Sequence, residues 1–322
     1  MNIEKIKESA IDLKKDGHVF LINSVAEGYA NSKSDIDLLV VQFENKAENE
    51  AWKQLNFNGI RADVCFIGKE LLEKRIDSIF SAKLNDDLIK FGHKIKTAIP
   101  LYGDSLTEII DWVDFDKRVS EFYIWNIANH LEDIDGLCAE EDYDSAILTA
   151  SSLLDDAFSG YMASLGGTQT RAKWKLKQAR KFIKNVNVLN QYTTEALREI
   201  SYENKKWQLD KLIDKARYFW RLTYLPELGE NFPDNKRMYV ISKKASISFI
   251  SGTLYLNNPA PFASVNKDFS LILHALELVD DAMCMHEYLA EKNINISEEK
   301  ANKHTKFIFE RKLVSKKYEI QA

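Results

Sequence analysis

The sequence predicts an α+β protein: an N-terminal mixed β-sheet with flanking helices, followed by a C-terminal helical bundle with a small β-containing insertion. Three observations predict it. Short apolar runs near 18–23, 35–43 and 60–67 read as strands. From about Leu106, apolar residues recur at three- and four-residue spacing over 106–137, 143–165, 171–185 and 204–225, the pattern of helices that share a core. A β-like run over 238–255 then interrupts the helical pattern. The expected domains are 1–105, 106–228 and 229–322.

Each element has its own reason. Residues 2–15 mix Ile and Leu at helical spacing with Lys and Glu, giving a first helix. The strand at 18–23 leads into a helical stretch after Ser24, and the strand at 35–43 into a helix near 46–54. The strand at 60–67 is rich in apolar residues, and 96–102 reads as one more strand before Gly103. Pro, Gly, Asn and Asp punctuate 226–235; Gly252 breaks the β-like run, and Asn257-Asn258-Pro259-Ala260-Pro261 closes it as a turn. Residues 266–291 read as one long helix and 297–317 as another. No internal repeat or low-complexity tract occurs.

The chemistry concentrates between Val19 and Val41, where an apolar strand and a Ser-bearing turn precede a strand carrying Asp35 and Asp37. Side chains alternate along a strand, so both carboxylates project to one face while Ile36 and Leu38 take the other. At about 4 Å and an effective dielectric near 20, two like charges repel by about 4 kcal/mol, so the pair calls for a cation or a shared proton. Leu38-Leu39-Val40-Val41 is apolar on both faces, as in a strand covered on both sides, which puts the carboxylates at its edge near a cleft. Asp63, in the next strand, is a third candidate. Three hard oxygen ligands suit magnesium, which shares its shell with waters and substrate phosphates. A lone Asp-x-Asp also reads as a plain polar strand end.

The ordered set, a turn Ser24 ten positions before Ser34, Ser34 directly before Asp35-Ile36-Asp37, and a following strand with Asp63, resembles the nucleotidyltransferase superfamily that includes DNA polymerase β. Its small-molecule branch, the aminoglycoside and lincosamide nucleotidyltransferases, is the nearest likeness, over roughly residues 15–105. The resemblance implies a turn at Asn23-Ser24 that cradles a triphosphate together with Ser34. It also implies two magnesium ions held by Asp35 and Asp37, with Asp63 completing the site. The family's usual Gly is Asn23 here; Asn is the next most tolerant residue of left-handed backbone. The implied activity is transfer of a nucleoside monophosphate, AMP from ATP or the equivalent from another nucleoside triphosphate, to a hydroxyl of a small molecule such as an antibiotic or metabolite. Two other readings stay open: a protein- or RNA-modifying, antitoxin-type AMP transferase, and a nucleotide-binding regulator without turnover. A homodimer closing the site follows by analogy alone.

Within the helical region, Leu165-Gly166-Gly167-Thr168-Gln169-Thr170 ends one helix and caps the next, whose first turns carry Arg171, Lys173, Lys175 and Lys177 around Trp174. Cations at a helix N-terminus oppose the macrodipole, so an anionic partner would relieve them. Related proteins with a helical extension often show a basic-Trp-basic segment here, which makes Arg171, Lys173 and Lys175 candidate nucleotide contacts. A solvated basic face with Trp174 packed inward explains them equally. The acidic residues from Glu132 to Asp144, and the pair Asp155-Asp156, read either as a pocket for a cationic acceptor or as solvated surface. Asp155, between apolar neighbours, competes with Asp63 as general base.

Composition bounds the rest. The 322 residues are 45% hydrophobic and 29% charged with a formal net charge of −5, an ordinary globular balance with no general attraction to nucleic acid. The partners expected are a nucleoside triphosphate and a small hydroxylated acceptor. The three cysteines, Cys65, Cys138 and Cys284, are too scattered for a disulfide framework or a zinc site, which makes the cytoplasm the default. The six histidines lack transition-metal spacing and read as core or surface residues. No apolar run reaches membrane-spanning or secretory length, so neither a membrane span nor a targeting signal is expected.

Overall fold

The computed structural model describes residues 2–44, 50–57, 59–106, 110–197, 204–233, 239–241, 246–250, 253–257 and 263–316. By internal contacts the chain divides into two units, Met1–Val119 with Gly166–Lys181, and Ser120–Leu165 with Phe182–Ala322. The second stretch of the first unit holds the basic segment around Trp174.

The first unit is built on a five-stranded mixed sheet in the order β3-β4-β2-β1-β5. Its strands are β1 (Gly17–Ile22), β2 (Ile36–Gln42), β3 (Ala51–Phe57), β4 (Ile60–Gly68) and β5 (Ile99–Tyr102). β1 runs antiparallel to both β2 and β5, β3 antiparallel to β4, and β2 parallel to β4. On one face, Leu21, Leu38, Val40, Val64 and their neighbours join Ile6, Ala10 and Leu13 in a common core. Ile6 lies on α1 (Ile3–Ser9), which gives way to a 3-10 turn, Ile11–Lys15. The intervening residues Phe20, Leu39, Val41, Cys65 and Ile67 are buried as well. β2 is thus covered on both faces, as its unbroken apolar run predicts.

Two helices missing from the sequence reading, α3 (Lys69–Ser81) and α4 (Asp86–Lys96), follow the short α2 (Asn23–Ala26), and α3 packs on β2 and β4. Asn85 caps α4 by accepting from the Leu88 N–H at 2.9 Å. At the start of β1, Gly17 lies so close to β2 that an added Cβ would stand 2.0 Å from the Val41 carbonyl oxygen. β1 stays in register with β2 over all six of its residues.

One expected element is corrected here. The helix placed near 46–54 is, over its described part, the edge strand β3, paired to β4 from Ala51↔Phe66 to Phe57↔Ile60; 45–49 lie outside the described residues. Ladder hydrogen bonds from β4 override the helical tendency of a segment with few β-branched residues.

Helix α5 (Trp112–Ala139) carries the division between the units. Within the second unit α6 (Tyr143–Ser164) packs along α9 (Lys205–Tyr224), with α8 (Val186–Ala196) beside both. Phe158 of α6 stacks on Tyr192 of α8 at 3.8 Å between ring centroids, and meets Phe219 of α9 edge-on at 5.0 Å. The helix expected over 171–185 is α7 (Ala172–Phe182), and a further helix not read from the sequence, α8, starts at Val186 behind the Asn185 cap.

The remainder of the second unit holds two small sheets: β6 (Tyr239–Ile241) with β10 (Val314–Lys316), and β7 (Ser246–Ile250), β8 (Thr253–Asn257) and β9 (Ala263–Val265). Gly252 and positions 258–261 of the turn expected over 257–261 lie outside the described residues, while Asn257 is the last residue of β8. The single helix expected over 266–291 is α10 (Lys267–Ala275), two 3-10 turns and α11 (Met285–Glu291). It breaks because Val279 and Asp281 adopt extended backbone, and the Asp281 side chain starts the next turn by capping Met283. The last helix, α12 (Glu298–Glu310), stops short of 317 and the chain turns into β10.

Candidate functional site

Three acidic residues named from the sequence meet at one end of the sheet. Asp37 and Asp63 are direct register partners on the parallel strands β2 and β4, and Asp35 immediately precedes β2. Cross-strand partners share a face, so strand geometry alone brings these carboxylates together. Ile22, the last residue of β1, is the partner of Asp37 on its other side, so the turn that follows β1 opens beside the carboxylates.

That turn begins at Asn23 with φ 56°, in the left-handed region where the sequence reading had Asn stand in for Gly. The Asn23 side chain donates a hydrogen bond to the Asp37 carboxyl. Ser24 is buried, and its carbonyl accepts from the Tyr29 and Ala30 N–H groups at 2.8 and 3.0 Å, closing the turn. Ser34 serves a second turn, its hydroxyl accepting from the Asn31 N–H at 3.0 Å.

The carboxylates sit in different fields. Burial, and next the Asp35 charge, push the Asp37 carboxyl up to about 6, while the Asn23 hydrogen bond and the Arg171 charge pull it the other way. Asp35 is held below the usual carboxylate range by a hydrogen bond from Arg61. The Arg61 guanidinium binds Asp35 and reaches Asp63 at 3.6 Å, so one cation serves two of the three acids. Sequence reading missed Arg61, although it lies two residues before Asp63 and therefore on the same face of β4.

The basic segment belongs to the same unit. Arg171 is exposed and its charge acts on Asp37. Lys173 is exposed and lies over the Trp174 ring at 5.0 Å, whereas Lys175 is buried. Trp174 is itself buried against Tyr29 at 6.1 Å between centroids, and Lys177 donates to the Tyr29 carbonyl at 2.7 Å. The inward-packed Trp is therefore part of what seats this segment.

A buried polar network does the rest, and it too escaped the sequence reading. His93 on α4 bonds Glu27 at 2.9 Å through one ring nitrogen and Thr168 at 2.9 Å through the other. The Gln169 side-chain amide donates to the second Glu27 oxygen at 2.9 Å, and its Oε1 accepts from the Arg171 N–H at 3.1 Å. The Glu27 and His93 side chains are only 3% and 8% exposed. Nearby, Lys96 pairs with Asp116 at 2.6 Å and donates to the Gly166 carbonyl at 2.8 Å. A continuous hydrogen-bonded path thus runs from Glu27, just after the Asn23 turn, to the backbone that carries Arg171.

The second unit has its own acidic cavity of about 500 Å³, lined by Asp155, Asp156, Tyr192 and Glu195 among others. Each acid is engaged: Asp155 accepts from the Tyr192 hydroxyl at 2.6 Å, Asp156 bonds His130 at 3.1 Å, and Glu195 pairs with Lys215 at 2.8 Å. Asp142 caps α6 by accepting from the Ser145 N–H at 3.1 Å. Cys65, Cys138 and Cys284 are free thiols.

The donor chemistry of Asp35, Asp37 and Asp63 fits a hard divalent cation: all are carboxylates, and Asp37 carries the repulsion that such an ion would relieve. Among the described residues no group of three or more His, Cys, Asp or Glu side chains is arranged as a ready metal cage. Nor, among them, is any helix long and apolar enough to cross a membrane.

No protein-family model matches the chain, and no curated protein sequence matches it significantly. Among solved structures, one similar chain is a nucleotidyltransferase-like protein from Exiguobacterium sibiricum 255-15. It is 13% identical with a TM-score of 0.41, over 68% of this chain and 76% of that one.

Proposed function

We propose that the first unit is a nucleotidyltransferase, moving a nucleoside monophosphate, AMP from ATP by preference, to a hydroxyl of a small molecule. The observation that carries the reading is the in-register pair Asp37 and Asp63, with Asp35 beside them and the left-handed turn at Asn23 facing them. In the transfer, the acceptor oxygen bonds the α-phosphorus, the bond from that phosphorus to the α–β bridging oxygen breaks, and pyrophosphate leaves. Asp63 takes the proton of the acceptor hydroxyl. The Asn23-Ser24 turn and the Arg171 guanidinium bind the triphosphate, with Lys173 as a further phosphate contact. Magnesium held by Asp35, Asp37 and Asp63 would neutralise triphosphate charge and make the acceptor hydroxyl more acidic.

Incubation with each labelled nucleoside triphosphate, magnesium and a panel of hydroxylated acceptors tests this, run beside the Asp35→Ala/Asp37→Ala double variant. Labelled product and pyrophosphate from the wild type alone support the reading. Equal nucleotide binding by both proteins, with no pyrophosphate from either, overturns it.

A further inference from the structure

Arg61 is a cation already bonded to the carboxylates that the proposed metal would use. Its guanidinium binds Asp35 and lies 3.6 Å from Asp63, two carboxylates whose side chains are about three-quarters buried. Arg61 itself is 59% exposed, on a long side chain free to turn toward solvent. Asp37 is left out of this clasp and faces Asn23 and the Arg171 charge instead. A carboxylate oxygen that accepts from a guanidinium in the plane of its lone pairs has that direction closed to a second cation.

We propose that Arg61 is a built-in competitor for the metal: the guanidinium and a divalent ion exclude one another on Asp35 and Asp63, so Arg61 sets how much metal the site needs. This rests on the metal-dependent reading above, and it concerns a residue that reading does not use. The exchange requires Arg61 to swing away from Asp35 and Asp63 as the ion enters. Two consequences follow from linkage. Removing the guanidinium tightens metal binding, and metal binding loosens the Arg61–Asp35 pair by the same factor. Lysine at the same position keeps the charge but loses the planar fork, and should compete less well.

The test is direct metal binding to the full chain without nucleotide, with manganese as probe, followed by electron paramagnetic resonance. Arg61→Gln should bind manganese roughly tenfold more tightly than wild type, within the range of ordinary coupling between sites. Arg61→Lys should fall between them. Circular dichroism melts of all three proteins establish that each is folded. Equal or weaker manganese binding by folded Arg61→Gln overturns the proposal, as does absence of binding by every variant. Pyrophosphate release is scored separately: a wild type that turns over while Arg61→Gln binds metal no more tightly refutes the competitor role and leaves nucleotidyl transfer standing.

Discussion

Asn23 ends β1 in a left-handed conformation and from there hydrogen-bonds Asp37, so one residue supplies both the turn and the support of a carboxylate. The two roles belong to different atoms and can be separated. Asn23→Gly keeps the backbone and loses the amide, so Asp37 should titrate above its present value of about 6 with the fold intact. Asn23→Ala loses both and should cost roughly 1–2 kcal/mol more in stability, the penalty for a Cβ in left-handed backbone. Carboxyl carbon chemical shifts against pH, with urea melts, distinguish the variants. An unmoved Asp37 midpoint in the Gly variant contradicts the hydrogen bond.

Asp37 also makes stability depend on pH in an unusual direction for an acid. Its folded pKa of about 6 lies above the ordinary 3.8, so the folded state favours the protonated form. The stability this gives is present in full below the unfolded pKa and is lost as pH rises through the folded one. Asp37→Asn should therefore match wild type near pH 3 and exceed it at pH 8 by roughly 2–3 kcal/mol, since each tenfold change in proton affinity is worth about 1.4 kcal/mol. Denaturant melts of both proteins across this range check it, and equal stability at pH 8 would count against a strained Asp37.

The Glu27–His93–Gln169 network should separate stability from nucleotide binding. Glu27→Ala strands the buried His93 and the half-buried Gln169 and should destabilise by about 2–4 kcal/mol. Gln169→Ala leaves the Glu27–His93 pair whole and should cost only about 1 kcal/mol. Gln169→Ala removes the acceptor of the Arg171 N–H and Glu27→Ala removes the anchor of that Gln169 amide, so both should weaken nucleoside triphosphate binding. Calorimetric titration beside urea melts reads both quantities. Binding losses that simply track the stability losses would reduce the network to a structural role.

Two glycines give opposite expectations. Gly17→Ala sets a Cβ against the Val41 carbonyl, which is backbone and cannot give way, and should destabilise by about 3 kcal/mol or more. Gly136→Ala, inside α5 with no atom within 4 Å of the added Cβ, should stabilise by about 0.5–1 kcal/mol. Melting temperatures on either side of wild type would confirm the pair.

The legible parts of the site are local. Strand-like alternation from Asp35 into β2 predicts Asp35 and Asp37 on one face, and φ tolerance identifies Asn23, because both depend on neighbours a few residues away. Arg61 carries the same signal, two residues before Asp63, but a single Arg on a strand suggests surface until its partner is known. Glu27, His93 and Gln169 have no signal to offer: their bonds span 66 and 142 residues. The edge strand β3 reads as helix in the sequence because its pairing with β4 is a tertiary fact. The 266–291 segment reads as one helix because extended residues at Val279 and Asp281 leave its hydrophobic pattern nearly unbroken.

The pairing of Asp37 with Asp63 makes the central ladder a ruler. Strand spacing, about 4.8 Å, fixes how far apart their backbones stand, and a shift of one residue would turn one of the acids to the opposite face. With β2 hydrogen-bonded on both sides, that distance is insulated from changes elsewhere in the chain. Under the proposed reading, a change of acceptor would fall to the residues that surround the ruler rather than to the marks on it.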